Sequence, residues 1–349
     1  MRVLTKITPE TINWGELGFG YIDTGKKFRA YYKDGEWSEG RIETEKNVFI
    51  SEASTALHYG QQAFEGMKAY RTKTGEIQLF RPELNAQRLM DSAEKLLMPA
   101  YPEEDFINAI HEVVRANEEW VPPYESGATL YIRPLLIGIG DTVGVQPAKE
   151  YLFTVFVTPV GPYFKGGMAP SKFLVSDFDR AAPRGTGAQK VGGNYASSYL
   201  PGKLAKDQGY SDAIYLDPAT HTKIEEVGSA NFFGITKDNK FVTPKSPSIL
   251  PSITKRSLIW LAENRLDLEV VEGDVYVDEL DQFSETGAMG TAAIIAPISS
   301  ITHGDKEYTY TDGVKVGEIT QQLYAELVGI QKGDVEAPEG WVQTVDVTK

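Results

Sequence analysis

The 349-residue chain contains no cysteine. That absence excludes disulfides, thiolate metal sites and cysteine nucleophiles together. Histidine is scarce: only His58, His111, His221 and His303 occur. None stands at H-E-x-x-H spacing, so no metal centre is expected. The G-x-S-x-G elbow of many serine hydrolases is missing. There is no basic excess either, and a formal net charge of −14 opposes contact with a phosphate backbone, so no nucleic-acid partner is expected. No apolar run is long enough to span a bilayer, and Met1-Arg2-Val3-Leu4-Thr5-Lys6 lacks the apolar stretch of a signal peptide. The expectation is a cytoplasmic protein without membrane association.

What is present suits a globular protein of two domains. Hydrophobic residues make up 41% and charged residues 24%, as in ordinary soluble folds, and the length allows two cores. Phe28 to Tyr32 followed by Lys33-Asp34-Gly35-Glu36 reads as strand and hairpin turn. Met67 to Arg71 and Ile77 to Phe80 flank Thr74-Gly75 as a second hairpin. Pro82 opens a helix with the stripe Leu89, Met90, Ala93, Leu96 and Leu97, and another helix runs from about Glu103 to Trp120. Leu130 to Ile139 and Tyr151 to Val157 read as buried strands. In the second half, short strands (Phe173 to Ser176, Ile214 to Leu216, Phe232 to Ile235, Ala292 to Ile295) alternate with helices such as Ser252 to Asn264. The prolines and glycines of the stretch beginning at Thr158 and Pro159 mark a linker. The predicted organisation is α+β, with a domain over 1–158, a linker over 159–169 and a second domain over 170–349.

The chemistry concentrates in Arg184-Gly185-Thr186-Gly187-Ala188-Gln189-Lys190-Val191-Gly192-Gly193-Asn194-Tyr195. A single lysine lies between two glycine pairs, with a tyrosine five residues on. Glycine permits positive φ and close backbone approach to a ligand. Partial burial disfavours a charged amine, which is what a Schiff-base lysine requires, and a phenol nearby can hydrogen-bond its partner. A glycine-rich loop with one lysine is also a common surface turn. Neither G-x-x-x-x-G-K-[ST] nor G-x-G-x-x-G is matched, so nucleotide binding through this loop is not expected. A carbonyl cofactor, pyridoxal 5′-phosphate (PLP) first among them, is the leading reading.

That cofactor needs a carboxylate for its pyridine nitrogen and donors for its phosphate. In Lys223-Ile224-Glu225-Glu226-Val227-Gly228-Ser229-Ala230-Asn231, strand alternation lets at most one of Glu225 and Glu226 face a site. Solvated strand ends are the ordinary fate of such glutamates. Ser229 supplies a nearby hydroxyl. Leu250-Pro251-Ser252-Ile253-Thr254 opens a helix whose free N–H groups suit an anion, and Ser252 or Thr254 would cap it in any case. A turn around Gly290-Thr291-Ala292 offers a weaker anion cradle. In the first half, period 2 puts Tyr131 and Arg133 on one strand face. An arginine on an apolar strand is costly unless paired, which points to a carboxylate ligand. By periodicity alone Arg88 reads as a surface or snorkelling arginine.

In order along the chain, these segments resemble the branched-chain amino-acid aminotransferases, of fold-type IV among PLP enzymes. The matching residues are Leu57-His58-Tyr59, Phe64-Glu65-Gly66-Met67-Lys68, Phe80-Arg81-Pro82, Gln87-Arg88-Leu89 and Tyr131-Ile132-Arg133-Pro134. They continue through Pro159-Val160-Gly161 with Tyr163, Lys190 to Tyr195, Glu226-Val227-Gly228, Leu250 to Thr254 and Gly290-Thr291-Ala292. The resemblance implies a smaller N-terminal α/β domain, a larger C-terminal domain and a site at their interface.

It also implies roles. Lys190 matches the Schiff-base lysine and proton-transfer base, Tyr195 the tyrosine at the cofactor's phenolic oxygen, and Glu226 the carboxylate on the pyridine nitrogen. Arg88, Ile253, Thr254 and Thr291 match the phosphate set, to which Ser229 is added as a cofactor contact. Phe64, Tyr131 and Tyr163 match the walls of the side-chain pocket, with Tyr59 nearby. Arg133 matches the arginine for the second carboxylate of glutamate, and Thr291-Ala292 the cradle for the substrate α-carboxylate. The loop Val143-Gly144-Val145 matches one that reaches a partner subunit's site, so Val145 joins the substrate set and a homodimer is implied.

The implied reaction is transamination of leucine, isoleucine and valine with 2-oxoglutarate, the small-molecule partners being amino acids and 2-oxo acids. The alternatives are a D-amino-acid aminotransferase or an aminodeoxychorismate lyase, which share the lysine–glutamate core, or a catalytically dead PLP-binding protein. Mammalian mitochondrial members carry C-x-x-C where this chain has Ala293 and Ala296, so their thiol redox control is absent.

Overall fold

The computed structural model describes residues 7–164 and 167–348. The reading of Met1 to Lys6, and Lys165 and Gly166 of the expected linker, fall outside the described residues. Contacts divide the chain into two compact units, Met1–Tyr163 with Ile330–Lys349, and Phe164–Gly329.

Antiparallel hairpins build the first unit. Strand β1 (Lys27–Lys33) turns through Asp34 and Gly35, both at positive φ, into β2 (Glu36–Trp37), the backbone a two-residue hairpin of this twist requires. Strand β3 (Arg41–Glu43) pairs with β1. Helix α1 (Thr55–Tyr59) leads to β4 (Gln62–Phe64), and the hairpin β5 (Met67–Arg71) and β6 (Ile77–Phe80) follows. Helices α2 (Pro82–Lys95) and α3 (Glu103–Ala116) precede the long strands β7 (Thr129–Gly138) and β8 (Tyr151–Val160). The sheet order is β6-β5-β7-β8-β1-β2, with β4 added to β7.

Leu130, Ile132 and Leu136 of β7 and Phe153 and Val155 of β8 are buried, and their register puts them on one face. The Phe106 ring of α3 meets Phe153 on that face at 5.8 Å. The other face carries Tyr131 and Arg133, as period 2 predicted. Helix α3 stops four residues short of Trp120. Asn117 leaves helical backbone, its side-chain amide donates to the Val113 carbonyl, and Glu118–Trp120 form a separate 3₁₀ turn. Strand β8 runs through Pro159 and Val160, two residues into the expected linker.

The second unit contains strands β9 (Ser171–Val175), β10 (Asp212–Leu216), β11 (Ile224–Val227), β12 (Ala230–Thr236), β13 (Phe241–Pro244), β14 (Val270–Gly273), β15 (Phe283–Gly290), β16 (Ile294–His303) and β17 (Lys306–Thr309). Its helices are α4 (Gly192–Ala196), α5 (Tyr199–Asp207), α6 (Ile253–Asn264) and the start of α7 (Glu318–Lys332). The strand order β11-β10-β9-β16-β15-β12 returns from β12 to β11, closing a six-stranded barrel. Closure leaves none of those six with an open edge. One buried cluster draws Val175, Ile214, Val227, Phe232, Ala288 and Ile298 from all six strands and fills the interior.

Sequence alternation did not foresee the barrel or its one irregularity. Tyr215 of β10 faces Glu226, but Leu216 faces Ile224, so Glu225 is an extra residue in β11. This β-bulge lets Ile224 and Val227, three apart, share the barrel core. Glu225 and Glu226 are separated by a bulge rather than by simple alternation.

The C-terminal segment also departs from expectation. Instead of remaining with residues 170–329, strand β18 (Val342–Thr344) pairs with the open edge of β6. The amide of Gln78 donates to Ile330 O and Gln331 O at 2.9 and 2.8 Å, and Arg115 Nε to Asp346 O at 2.7 Å. Unpaired backbone on β6 provides the physical reason. Among the described residues no helix is long and apolar enough to cross a membrane.

Candidate active site

The lysine loop is pinned from within. Asn194, in the short helix α4, donates from Nδ2 to Thr186 O at 2.7 Å and Gln189 O at 2.9 Å, and accepts from Thr186 Oγ1. The loop ends at Lys190, which is half-buried and donates from Nζ to Tyr195 OH at 2.8 Å. The five-residue spacing therefore does bring amine and phenol together. The glycines act differently from expectation. None of Gly185, Gly187, Gly192 and Gly193 has positive φ. A Cβ at Gly187 would lie 2.3 Å from Ser248 O, so this glycine permits the loop to press on another protein segment rather than on a ligand.

Glu226 is 4% exposed. Its Oε1 accepts from Leu250 N at 2.7 Å and Asn231 Nδ2 at 3.4 Å. Its Oε2 lies 3.2 Å from Arg180 Nε, although that N–H is not aligned for a hydrogen bond. Burial pushes the carboxyl up to about 7, against the opposing pulls of Arg180, the Leu250 N–H and Lys190. Arg180, Gln189, Tyr195, Glu226 and Leu250 line one small pocket. Sequence reasoning missed Arg180. It precedes the glycine-rich loop by only a few residues, but no periodicity or motif marks it.

Around this carboxylate the barrel supplies further groups. Gly228 and Ser229 form the two-residue turn between β11 and β12, with Gly228 at φ 57°; Ser229 is exposed at its tip. The registers Glu226–Asn231 and Asn231–Met289 set the end of β15 beside this hairpin. Thr291 and Ala292, half-buried, lie in the turn that follows. Ile253 and Thr254 open α6 and are buried. Ser252 is its N-cap, accepting from Lys255 N at 3.2 Å. First-turn N–H groups have no helical carbonyl to bond, so Ile253 and Thr254 are suited to an anion.

The remaining expected residues lie in the first unit. Phe64, Tyr131 and Arg133 come together: Arg133 Nη2 donates to Tyr131 OH at 3.1 Å, and its guanidinium stands 5.0 Å from the Phe64 ring and 5.2 Å from the Tyr131 ring. Arg133 Nε is buried without a hydrogen-bond partner. Gly66 is required here, since a Cβ would come within 2.2 Å of Tyr131 OH. Arg88 is not a surface residue. It is 6% exposed and pairs bidentately with the fully buried Glu65, Nε–Oε1 2.7 Å and Nη2–Oε2 2.8 Å. Asn85 Nδ2 donates to the same carboxylate at 2.7 Å. Tyr59 OH donates to Val143 O in a separate cluster. Val145 and Tyr163 are 88% and 54% exposed.

A lysine–phenol pair, a buried carboxylate and an anion-ready helix start within one unit are the groups that a carbonyl-cofactor enzyme requires. The model of the family described as Amino-transferase class IV matches residues 62–301. The chain is 59% identical over 340 residues to the branched-chain-amino-acid aminotransferase of Haemophilus influenzae, spanning 96% of this chain and 99% of the relative. It is 56% identical over 335 residues to the enzyme so named in Helicobacter pylori, spanning 95% and 98%. A solved branched-chain amino acid aminotransferase from Thermobaculum terrenum, in its PLP form, matches the fold with TM-score 0.76 and 26% identity over 93% of this chain and 99% of that one. The chain belongs to the branched-chain amino-acid aminotransferase family of the class IV aminotransferases.

The raised carboxyl of Glu226 has a stability consequence. Folding favours its protonated form, so its contribution is complete below the unfolded carboxyl value of about 4.3 and is lost as pH rises through about 7. In cofactor-free protein, the wild type should lose roughly 2–3 kcal/mol relative to Glu226→Gln between about pH 5 and about pH 8. Denaturant unfolding at both pH values measures this. Parallel behaviour of the two proteins would contradict it.

Proposed function

We propose that the chain catalyses reversible, PLP-dependent transfer of the amino group from L-leucine, L-isoleucine or L-valine to 2-oxoglutarate, giving branched 2-oxo acids and L-glutamate. The observation that carries this reading is the 2.8 Å contact of Lys190 with Tyr195 close to a buried Glu226, in a chain so similar to aminotransferases of that name. Neither relative reported above is a D-amino-acid aminotransferase or a lyase.

The residues present fit the cofactor. Glu226 is a buried carboxylate whose charge Arg180 offsets only in part, so a protonated ring nitrogen would complete its environment. Asn231 Oδ1, on a residue that touches Glu226, is buried without a hydrogen-bond partner. When bound, PLP supplies a carbonyl for the substrate's amino nitrogen and a ring that spreads the electron pair left by Cα–H cleavage.

We assign Lys190 Nζ to take that proton and return it, with Tyr195 OH orienting the amine. Glu226 holds positive charge at the ring nitrogen, and Arg180 favours the ionised Glu226 that this requires. Ile253, Thr254, Thr291 and Arg88 are assigned to the phosphate, Glu65 fixing the plane of Arg88, and Ser229 to the cofactor set. Thr291 and Ala292 are assigned to the substrate α-carboxylate.

Phe64, Tyr131 and Tyr163, with Tyr59 and Val145, are assigned to the side-chain pocket. Arg133 holds its guanidinium charge beside the rings of Phe64 and Tyr131. One surface can therefore take a branched aliphatic chain or a second carboxylate. A homodimer and a cytoplasmic location complete the proposal; for the dimer, the exposed apolar side chains Phe49, Leu57, Val143 and Val145 offer surface to cover.

Lys190→Ala should abolish turnover of L-leucine with 2-oxoglutarate, and an active variant would overturn the assignment. Arg133→Leu should raise KM for 2-oxoglutarate on the order of tenfold or more, the worth of a charge-assisted hydrogen bond, while KM for L-leucine moves by less than about threefold. Equal rises would remove Arg133 from that role. Light scattering should give twice the chain mass; the mass of a single chain would exclude the dimer.

A further inference from the structure

Glu225 has no part in the assignments above, although it is 5% exposed and adjoins the carboxylate on which they centre. The bulge turns both glutamates away from the barrel interior and sends them to different points of one segment. Glu225 Oε1 accepts from Ser246 Oγ at 2.6 Å and Ser248 Oγ at 2.5 Å, and the two hydroxyls lie 2.9 Å apart. Ser248 O accepts from Arg180 Nη2 at 2.5 Å. Two residues on, Leu250 N donates to Glu226. Residues 246–250 are thus held at one end by Glu225 and at the other by Glu226, with Arg180 attached between.

Two further observations give this arrangement consequence. The lysine loop bears on the same residue, since the space at Gly187 is closed by Ser248 O and Ser248 Cβ. On the far side, Glu225, Ser246 and Ser248 border a cleft of about 230 Å³ shared with Pro183, Lys223 and Lys245. Close packing does not fix the segment from that direction, and the hydrogen bonds to Glu225 act there together with the turn bonds Ser248 N to Ser246 Oγ and Ile249 N to Ser246 O. Arg180 meets Glu226 at 3.2 Å without alignment. Its influence there is mainly electrostatic, and burial makes that influence larger than it would be in water.

We propose that Glu225, through Ser246 and Ser248, is a positioning residue that aims Arg180 and the Leu250 N–H at the Glu226 carboxylate. The proposal rests on the assignment of Glu226 to the cofactor's ring nitrogen. It predicts sensitivity of the reaction to a group that touches neither substrate nor cofactor.

The test uses the PLP-loaded enzyme, with kcat and KM for L-leucine, visible circular dichroism of the bound cofactor, and thermal unfolding of loaded and cofactor-free protein. Glu225→Ala should lower kcat about tenfold with KM nearly unchanged and alter the visible dichroism. Glu225→Gln, which retains an oxygen for both hydroxyls, should recover at least about half of kcat. Added to Arg180→Gln, Glu225→Ala should deepen the loss by clearly less than its own factor of about ten, because part of its effect runs through that guanidinium and only the part that runs through the Leu250 N–H remains.

The proposal is overturned if Glu225→Ala keeps kcat within about twofold and leaves the dichroism unaltered, whatever its melting temperature, or if its loss multiplies with that of Arg180→Gln. Should Glu225→Ala fail to fold, Ser248→Ala decides: it keeps the carbonyl, and the proposal expects roughly a threefold fall in kcat, while wild-type kcat and dichroism contradict it. Glu226→Gln separates the premise from the proposal. Full activity and an unchanged spectrum in that variant would remove the underlying assignment, independent of Glu225.

Discussion

The second unit is organised around one expensive feature, a glutamate buried in a β-hairpin beside a buried arginine. Taking Glu226 and Arg180 out of water costs several kcal/mol for each ion, and their mutual attraction offsets this only with good geometry and further hydrogen bonds. The geometry here is incomplete. Arg180 Nε is close but unaligned, and burial raises Glu226 despite Arg180. A site that is not electrostatically satisfied by its own residues is suited to receive a cation, and a protonated ring nitrogen is such a cation.

The surrounding structure holds that arrangement still. A closed barrel gives β11 partners on both sides, and the bulge at Glu225 turns the two glutamates off the core while Ile224 and Val227 remain in it. Asn194 fastens the lysine loop, Gly187 lets that loop approach Ser248, and Ser252 caps the helix at whose start Ile253 and Thr254 lie. In the first unit Glu65 and Asn85 fix Arg88, and Gly66 makes room for the Tyr131 hydroxyl. The side chains assigned to chemistry are held by neighbours that have no chemistry of their own, as a preorganised site requires.

Features set by local rules were legible in the sequence. Asp34-Gly35 and Thr74-Gly75 announced their hairpins, Pro82 its helix, and period 2 placed Tyr131 with Arg133. Lys190 and Tyr195 stood out because little else between paired glycines carries reactive groups. Features set by long-range pairing did not appear. Arg180 finds Glu226 across 46 positions of sequence, and no local pattern encodes that. Arg88 looked like a surface residue because its partner Glu65 lies in another element. The bulge broke the alternation from which Glu225 and Glu226 were first assigned, and the return of β18 to β6 depends on an edge left open far upstream. The order of motifs along the chain nevertheless carried the family, since each short segment marks a point where the barrel or the sheet contributes a group.

The most direct test of the account is the visible absorbance of the purified, PLP-reconstituted protein before and after L-leucine is added without any oxo acid. The account predicts a band from cofactor linked to Lys190, which leucine bleaches and 2-oxoglutarate restores. A protein that shows no band, or one whose band ignores leucine and responds to D-alanine, would contradict it.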